Sequence, residues 1–287
     1  MSKISENNML VRAITGTVYV LVIVLSIYFG GLILQGVMGM LTLFMLIEFY
    51  NMFKGTKIEP NIFLGPLFGL MLFTLGCYIV AQPSILSVGP YIMSLFVVFV
   101  AVFLIISIAE LTRKSENPIL NISVTIGGLA YIAVPMFIMV LMDTVNNRDK
   151  LDNDLFPLLA IFIIIWCNDT FAYLVGRKFG KTKLIERISP KKTWEGFAGG
   201  VIFSIIAGII LAYFTDNQPY FAFVGFAIVV AITGTIGDLV ESMFKRSLGL
   251  KDSGTILPGH GGLLDRLDSI LFAAPFAFIY YISFLFD

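Results

Sequence analysis

Charge is the scarcest property of this sequence: 13% of its 287 residues are Asp, Glu, Lys or Arg, while 58% are hydrophobic. An average soluble domain carries roughly 25% charged residues. So little polar surface cannot cover a water-soluble fold of this size, which excludes a soluble globular protein. Net charge is missing too, with 19 basic residues against 19 acidic ones. No general electrostatic affinity for nucleic acid or anionic lipid follows from that balance, and nucleic acid is not expected as a partner. Cysteine is confined to Cys77 and Cys167, both inside apolar runs. A disulfide framework and a Cys-based metal site are thereby excluded. Also absent are the alternating pattern of a membrane barrel, low-complexity segments and an inverted repeat of the transporter kind.

What the sequence does have is long apolar runs, several beyond the roughly 20 residues that cross a hydrocarbon core. The pattern predicts an all-α, polytopic integral membrane protein with about nine spans, at 13–29, 32–53, 63–82, 91–112, 119–142, 157–176, 196–214, 220–243 and 268–286. The first run is too long for the apolar core of a signal peptide, and no small-x-small cleavage site follows it. Turn formers such as Gly30-Gly31, Asn117-Pro118 and Asp216–Pro219 mark the joints. With the N-terminus inside, 17 of the 19 basic residues fall on the inner side, leaving only Arg148 and Lys150 outside. That bias predicts an N-in, C-out topology, in a bacterial plasma membrane if the chain is bacterial. One domain is expected over 1–287. Residues 1–142 form chemically quiet spans, lipid-facing or oligomerising and suited to a homodimer interface. Residues 157–286 carry polar groups within spans and in inner loops.

Each ionisable group inside a span costs about 2.5–3.5 kcal/mol on insertion scales and therefore needs a reason. Asp169 lies in "IFIIIWCNDTFAYLVG", beside Asn168. On its own it fits a structural carboxylate as well as a functional one. Asp238 and Glu241 lie near the inner end of the eighth span, and helical spacing aligns Asp238, Ser242 and Lys245 on one stripe. A plain ion pair between Asp238 and Lys245 is the simpler account of that stripe. Glu48 and Glu110, near inner span ends, fit interfacial anchors.

The segment "KDSGTILPGHGGLLDRLDS", residues 251–269, weights these groups toward function. If the chain is helical from about 264, Asp265 and Asp268 share a face one turn apart. Adjacent carboxylates repel, and a hard cation such as Mg²⁺ relieves the repulsion while keeping positions for water or substrate phosphate. Arg266 points elsewhere and suits a phosphate or lipid headgroup. Gly254, Gly259, Gly261 and Gly262 let the backbone turn and present N–H groups to phosphate, aided by the helix N-terminus behind them. His260, the single histidine, sits among those glycines with no core to fill. A second inner stretch, "GRKFGKTKLIERISPKKTWEGFAGG", carries seven basic residues. Positive-inside bias alone accounts for many of them. Its "GRKFGKT" is one residue short of a P-loop spacing and follows a membrane helix instead of a strand, so a Walker motif is rejected. In "SPKKTWEG", Pro190 fixes a turn, Thr193 is placed to cap the next helix, and Trp194 is placed as an interfacial anchor. Carboxylates for metal, lysines and arginines for phosphate, and access to the bilayer imply phosphoryl or nucleotidyl transfer to a lipid.

The stretch "SMFKRSLGLKDSGTILPGHGGLLDRLD", Ser242–Asp268, resembles the signature of the phosphatidate cytidylyltransferase, or CDP-diacylglycerol synthase, family. "WCNDTFAYLVGRKFGK…ISPKKTWEG" is similar as well, so the likeness covers roughly 166–268 and loosens upstream to "IEFYNM" around Glu48. The resemblance implies transfer of CMP from CTP to phosphatidate with release of pyrophosphate. It implies Mg²⁺ on Asp238, Asp265 and Asp268, with a monovalent cation such as K⁺ sharing the site. Lys191, Lys192, Lys245, Arg246 and Lys251 become candidates for the triphosphate or lipid phosphate. Lys245 and Arg246 are expected to act on the reacting groups, and Ser189, Asp169, Asp252, His260, Gly261, Gly262 and Arg266 are expected to line substrate. An inward-facing site suits cytosolic CTP. A CTP-dependent kinase acting on a polyprenol-type lipid needs the same groups and differs only in its product. A CDP-alcohol phosphotransferase is disfavoured by its missing D-G-x-x-A-R…G-x-x-x-D-x-x-x-D motif, and a cation-coupled transporter would need paired broken helices and repeat symmetry.

Overall fold

The structure, a computed structural model, describes residues 2–81, 88–148, 157–215, 219–257 and 261–285. Ten α-helices run through them: α1 (Ser2–Phe29), α2 (Gly31–Asn51), α3 (Leu64–Ala81), α4 (Val88–Leu111), α5 (Pro118–Gly128), α6 (Val134–Arg148), α7 (Pro157–Phe179), α8 (Trp194–Tyr213), α9 (Tyr220–Ser247) and α10 (Leu264–Phe284). A π-helical turn, Leu129–Ala133, joins α5 to α6, so the two form a single apolar segment. Eight of the resulting segments are long and apolar enough to cross a membrane, and Ala13–Phe29 is a shorter apolar one. Their outer faces carry bare Leu, Ile, Val and Phe, as lipid contact requires.

One element departs from the all-helical expectation. Lys183–Ile185 (β1) and Ser189–Thr193 (β2) pair antiparallel between α7 and α8. The sequence hides this hairpin because its strands are short, charged and, at Pro190, broken by a residue that strands avoid.

The chain groups into two compact units, one of residues 1–144 with 252–265, the other of 145–251 with 266–287. In the first, α2 and α3 pack together, and the Tyr50 hydroxyl donates to the Thr125 carbonyl at 2.7 Å. Glu110, expected as an interfacial anchor, is instead buried at the end of α4. It accepts from Ser115, Asn121 and Arg113. A buried carboxylate needs such partners.

In the second unit α8 packs tightly on α7 and α9. Thr193 caps α8 as expected, its Oγ1 accepting from Gly196 N–H at 3.2 Å. Glu195, the second residue of the helix, takes the amides of Lys181 and Thr182 and so clips the hairpin to the helix start. The α7–α8 approach depends on Gly196: a Cβ there would lie 2.7 Å from the Ala172 carbonyl oxygen and 3.0 Å from Gly176 Cα. Both obstacles are backbone and cannot step aside. Gly196→Val is expected to lower stability by roughly 1–3 kcal/mol, the usual cost of overpacking. A thermal melt in detergent checks this, and an unchanged Tm would show that the helices separate without penalty.

Candidate active site

Polar side chains of the second unit gather where α7, β2, α9 and α10 come together. Lys192 on β2 reaches Asp238 on α9, with Nζ 2.6 Å from Oδ2. One turn along α9, Ser242 Oγ donates to the other oxygen, Asp238 Oδ1, at 3.2 Å. The simpler sequence account, an ion pair between Asp238 and Lys245, is corrected. Lys245 pairs with Glu241, four residues back on the same helix and wholly buried. Asp238 takes its cation from the hairpin instead. Of the two neighbouring lysines on β2, Lys192 is half-buried beside Asp238 while Lys191 is exposed.

Asp268 stands on α10 and is 8% exposed, with Oδ1 accepting from the Ser269 amide at 2.6 Å. It lies within electrostatic reach of Asp238, Glu241 and Lys245. Asp169 on α7 is exposed on a side that feels Asp238 and Lys192. Its neighbour Asn168 is buried, and Asn168 Nδ2 donates to Thr235 Oγ1 at 3.2 Å, tying α7 to α9 behind the carboxylates. Four carboxylates (Asp169, Asp238, Glu241, Asp268) thus face two ammonium groups (Lys192, Lys245), leaving a formal charge of −2. Such a deficit attracts cations strongly where water is scarce. Among the described residues no three His, Cys, Asp or Glu side chains are close enough to hold a metal ion by themselves.

The remaining basic candidates are spread out. Arg246 is exposed, and its guanidinium donates to the Leu250 carbonyl at 2.8 Å, closing the end of α9. Lys251, Asp252 and Arg266 are exposed, and Ser189 is half-buried at the hairpin turn opposite Ile185.

The glycine-rich loop belongs to the first unit and is engaged differently from a phosphate cradle. Asp265 Oδ2 accepts from the amides of Ser253, at 3.0 Å, and Gly262, at 2.9 Å. Glu48, expected as an interfacial anchor, is 3% exposed, and its Oε2 accepts from the Leu264 amide at 2.9 Å. Of the glycine amides that the sequence pattern offers to a phosphate, that of Gly262 is taken by the chain's own Asp265. Gly261 adopts φ 84° and pairs with Leu257 across the loop, the Leu257 amide donating to the Gly261 carbonyl. His260 lies outside the described residues. Glu48, Glu241 and Asn168 are the participants that sequence reasoning missed, Glu48 having been given only an anchoring role. For the first two, the cost of a carboxylate in an apolar run was the available signal.

Comparison with known proteins places these residues in context. Residues 10–284 match the family described as "Cytidylyltransferase family". A phosphatidate cytidylyltransferase of Staphylococcus aureus (strain COL) is 34% identical over 272 residues, covering 93% of this chain and 96% of that protein. The protein of the same name from Staphylococcus saprophyticus is 35% identical over the same span. That of Haemophilus influenzae (strain Rd) is 43% identical over 132 residues, 44% of this chain and 46% of the relative.

Proposed function

Because the chain belongs to the cytidylyltransferase family, we propose that it is a phosphatidate cytidylyltransferase, moving CMP from CTP to phosphatidate to give CDP-diacylglycerol and pyrophosphate. The observation that carries this reading is the carboxylate–lysine cluster of α7, β2, α9 and α10, set in helices of membrane-spanning length. An oxygen of the lipid phosphate attacks the α-phosphorus of CTP. The new P–O bond forms as the bond to the bridging oxygen breaks, and pyrophosphate leaves with the electron pair. No serine or cysteine nucleophile is required, since the lipid phosphate supplies one.

Both substrates are anionic, and the cluster is anionic as well. Substrate binding therefore needs a cation, and Mg²⁺ is proposed. The donor chemistry fits it: every candidate ligand is an oxygen, and Mg²⁺ keeps water and substrate phosphate in its remaining positions, so a protein cage of three side chains is not needed. Asp238 and Asp268 would hold it, with Asp265, which opens α10, assigned as the third carboxylate by the resemblance. Once bound, the ion supplies neutralisation of the phosphate charge that builds up in the transition state. Lys192 is placed to pass from Asp238 to a substrate phosphate, and Lys245 holds Glu241 in place beside Asp268. Positioning and charge carry the catalysis.

The same reading holds nine spans with the N-terminus inside, an active site facing the cytoplasm from a plasma membrane, and a homodimer through the apolar N-terminal spans. The deciding experiment supplies purified protein in detergent with labelled CTP and phosphatidate, with and without Mg²⁺. Release of pyrophosphate and appearance of labelled lipid are expected. Release of CDP would establish a kinase instead. Lys191→Ala checks the hairpin: its exposed ammonium is expected to meet CTP, raising KM for CTP with kcat nearly unchanged. An unchanged KM would place Lys191 outside the nucleotide site.

A further inference from the structure

Glu48 stands out as a buried carboxylate near the end of an apolar helix with no role in the chemistry described above. It sits on α2, 216 positions away in sequence from the amide it receives. Burying a carboxylate in a membrane helix costs a few kcal/mol, whereas a local Ser, Thr, Asn or Asp could cap α10 cheaply. The chain uses the remote group, and the surroundings show what it gains. Three backbone amides face this one carboxylate: Leu264, the first residue of α10, with Leu263 and Ile256. Glu48 Oε1 makes no hydrogen bond among the described residues and presses against Gly254, where a Cβ would come within 2.3 Å. Two stretches of the loop, at 254–256 and 263–264, are therefore drawn onto the same side chain. Between them Asp265 gathers Ser253 and Gly262. Glu48 apart, the two described stretches are joined through the Asp265 contacts and the Leu257–Gly261 bridge.

We infer that Glu48 is a positioning residue that clamps the described parts of the loop, 252–257 and 261–264, to α2 and so sets where α10 begins. Its negative charge satisfies the helix N-terminus in place of a phosphate. The carboxylate acts through the backbone it holds and touches no reacting atom. The activity arm of this inference rests on the cytidylyl-transfer reading; the structural arm does not.

The test measures hydrogen exchange by mass spectrometry on full-length protein in detergent, beside cytidylyl transfer, for wild type, Glu48→Gln and Glu48→Ala. The glutamine keeps one acceptor for Leu264 but turns an N–H₂ group toward the other amides, so partial rescue is expected. In Glu48→Ala, exchange should rise in peptides covering 252–265 and stay unchanged in α7 to α9. The kcat should fall roughly 10- to 100-fold, the usual cost of misplacement at a distance, with KM for CTP moving far less. Glu48→Gln should fall between the two in both readouts. Unchanged exchange in the loop overturns the clamp, and a loosened loop with full kcat overturns its role in catalysis. If Glu48→Ala exchanges fast everywhere, Glu48→Gln decides: local loosening supports the inference and global loosening overturns it. Wild type with no cytidylyl transfer would refute the functional reading while leaving the exchange result to judge the clamp.

Discussion

Asp268→Asn should abolish most turnover while leaving the folded protein at least as stable as wild type. The substitution keeps the volume of the side chain and an oxygen to accept the Ser269 amide at the position Oδ1 now holds. It removes one unit of charge, at a buried position, from a cluster with a formal excess of two negatives. In the absence of a divalent cation, Asp238 and Glu241 then lose a repelling neighbour, so Tm should hold or rise. With Mg²⁺ the sign reverses. A ligand that binds only the folded state stabilises it by an amount that grows with the logarithm of its affinity. Wild type should therefore gain Tm on Mg²⁺ addition, and Asp268→Asn should gain much less. Activity should fall roughly a hundred- to a thousand-fold, the range seen when one element of a preorganised electrostatic site is lost. Melting curves with and without Mg²⁺, run beside the transfer assay, check both halves. A variant with wild-type turnover and an undiminished Mg²⁺ effect would remove Asp268 from the metal assignment.

How far the sequence revealed this arrangement depends on how local the physics is. The spans were legible because lipid tolerates only runs with their backbone bonds satisfied internally, and such runs can be counted. The Thr193 cap was legible because it acts over three residues. The costly carboxylates Asp169 and Asp238 could be picked out one by one, since each breaks an apolar run. Their partners could not. The Asp238–Lys192 pair joins a membrane helix to a hairpin too short and too charged to announce itself. Asp238 and Lys245, one stripe of one helix, gave the nearer but mistaken pairing. The loop was legible only in part: glycines promised amides for phosphate, and only the fold could give the Gly262 amide to Asp265 and bring Glu48 from α2 to the Leu264 amide. A sequence states which donors exist; it does not state which acceptor arrives first.

Lys192→Met should lower kcat/KM for CTP roughly a hundred-fold, about 2.7 kcal/mol of transition-state binding, while barely shifting Tm. The contrast follows from exposure. Lys192 and Asp238 side chains keep 28% and 31% of their accessible surface, so water screens the pair in the resting protein. A screened ion pair of this kind contributes at most about 1 kcal/mol to stability. Its larger worth arises when substrate phosphates and a cation displace water and Lys192 exchanges one anion for another. Methionine keeps most of the stem's length and apolar volume, so the hairpin should persist. Asp238→Asn alone should be comparably damaging, because it removes charge from the cation site. In the double variant the two losses should fall short of adding, since each single change already breaks the pair they share. Steady-state kinetics on the four proteins measure that coupling. Strict additivity would mean that Lys192 and Asp238 act on different steps, and a large Tm loss in Lys192→Met would make the lysine a structural strut of the hairpin.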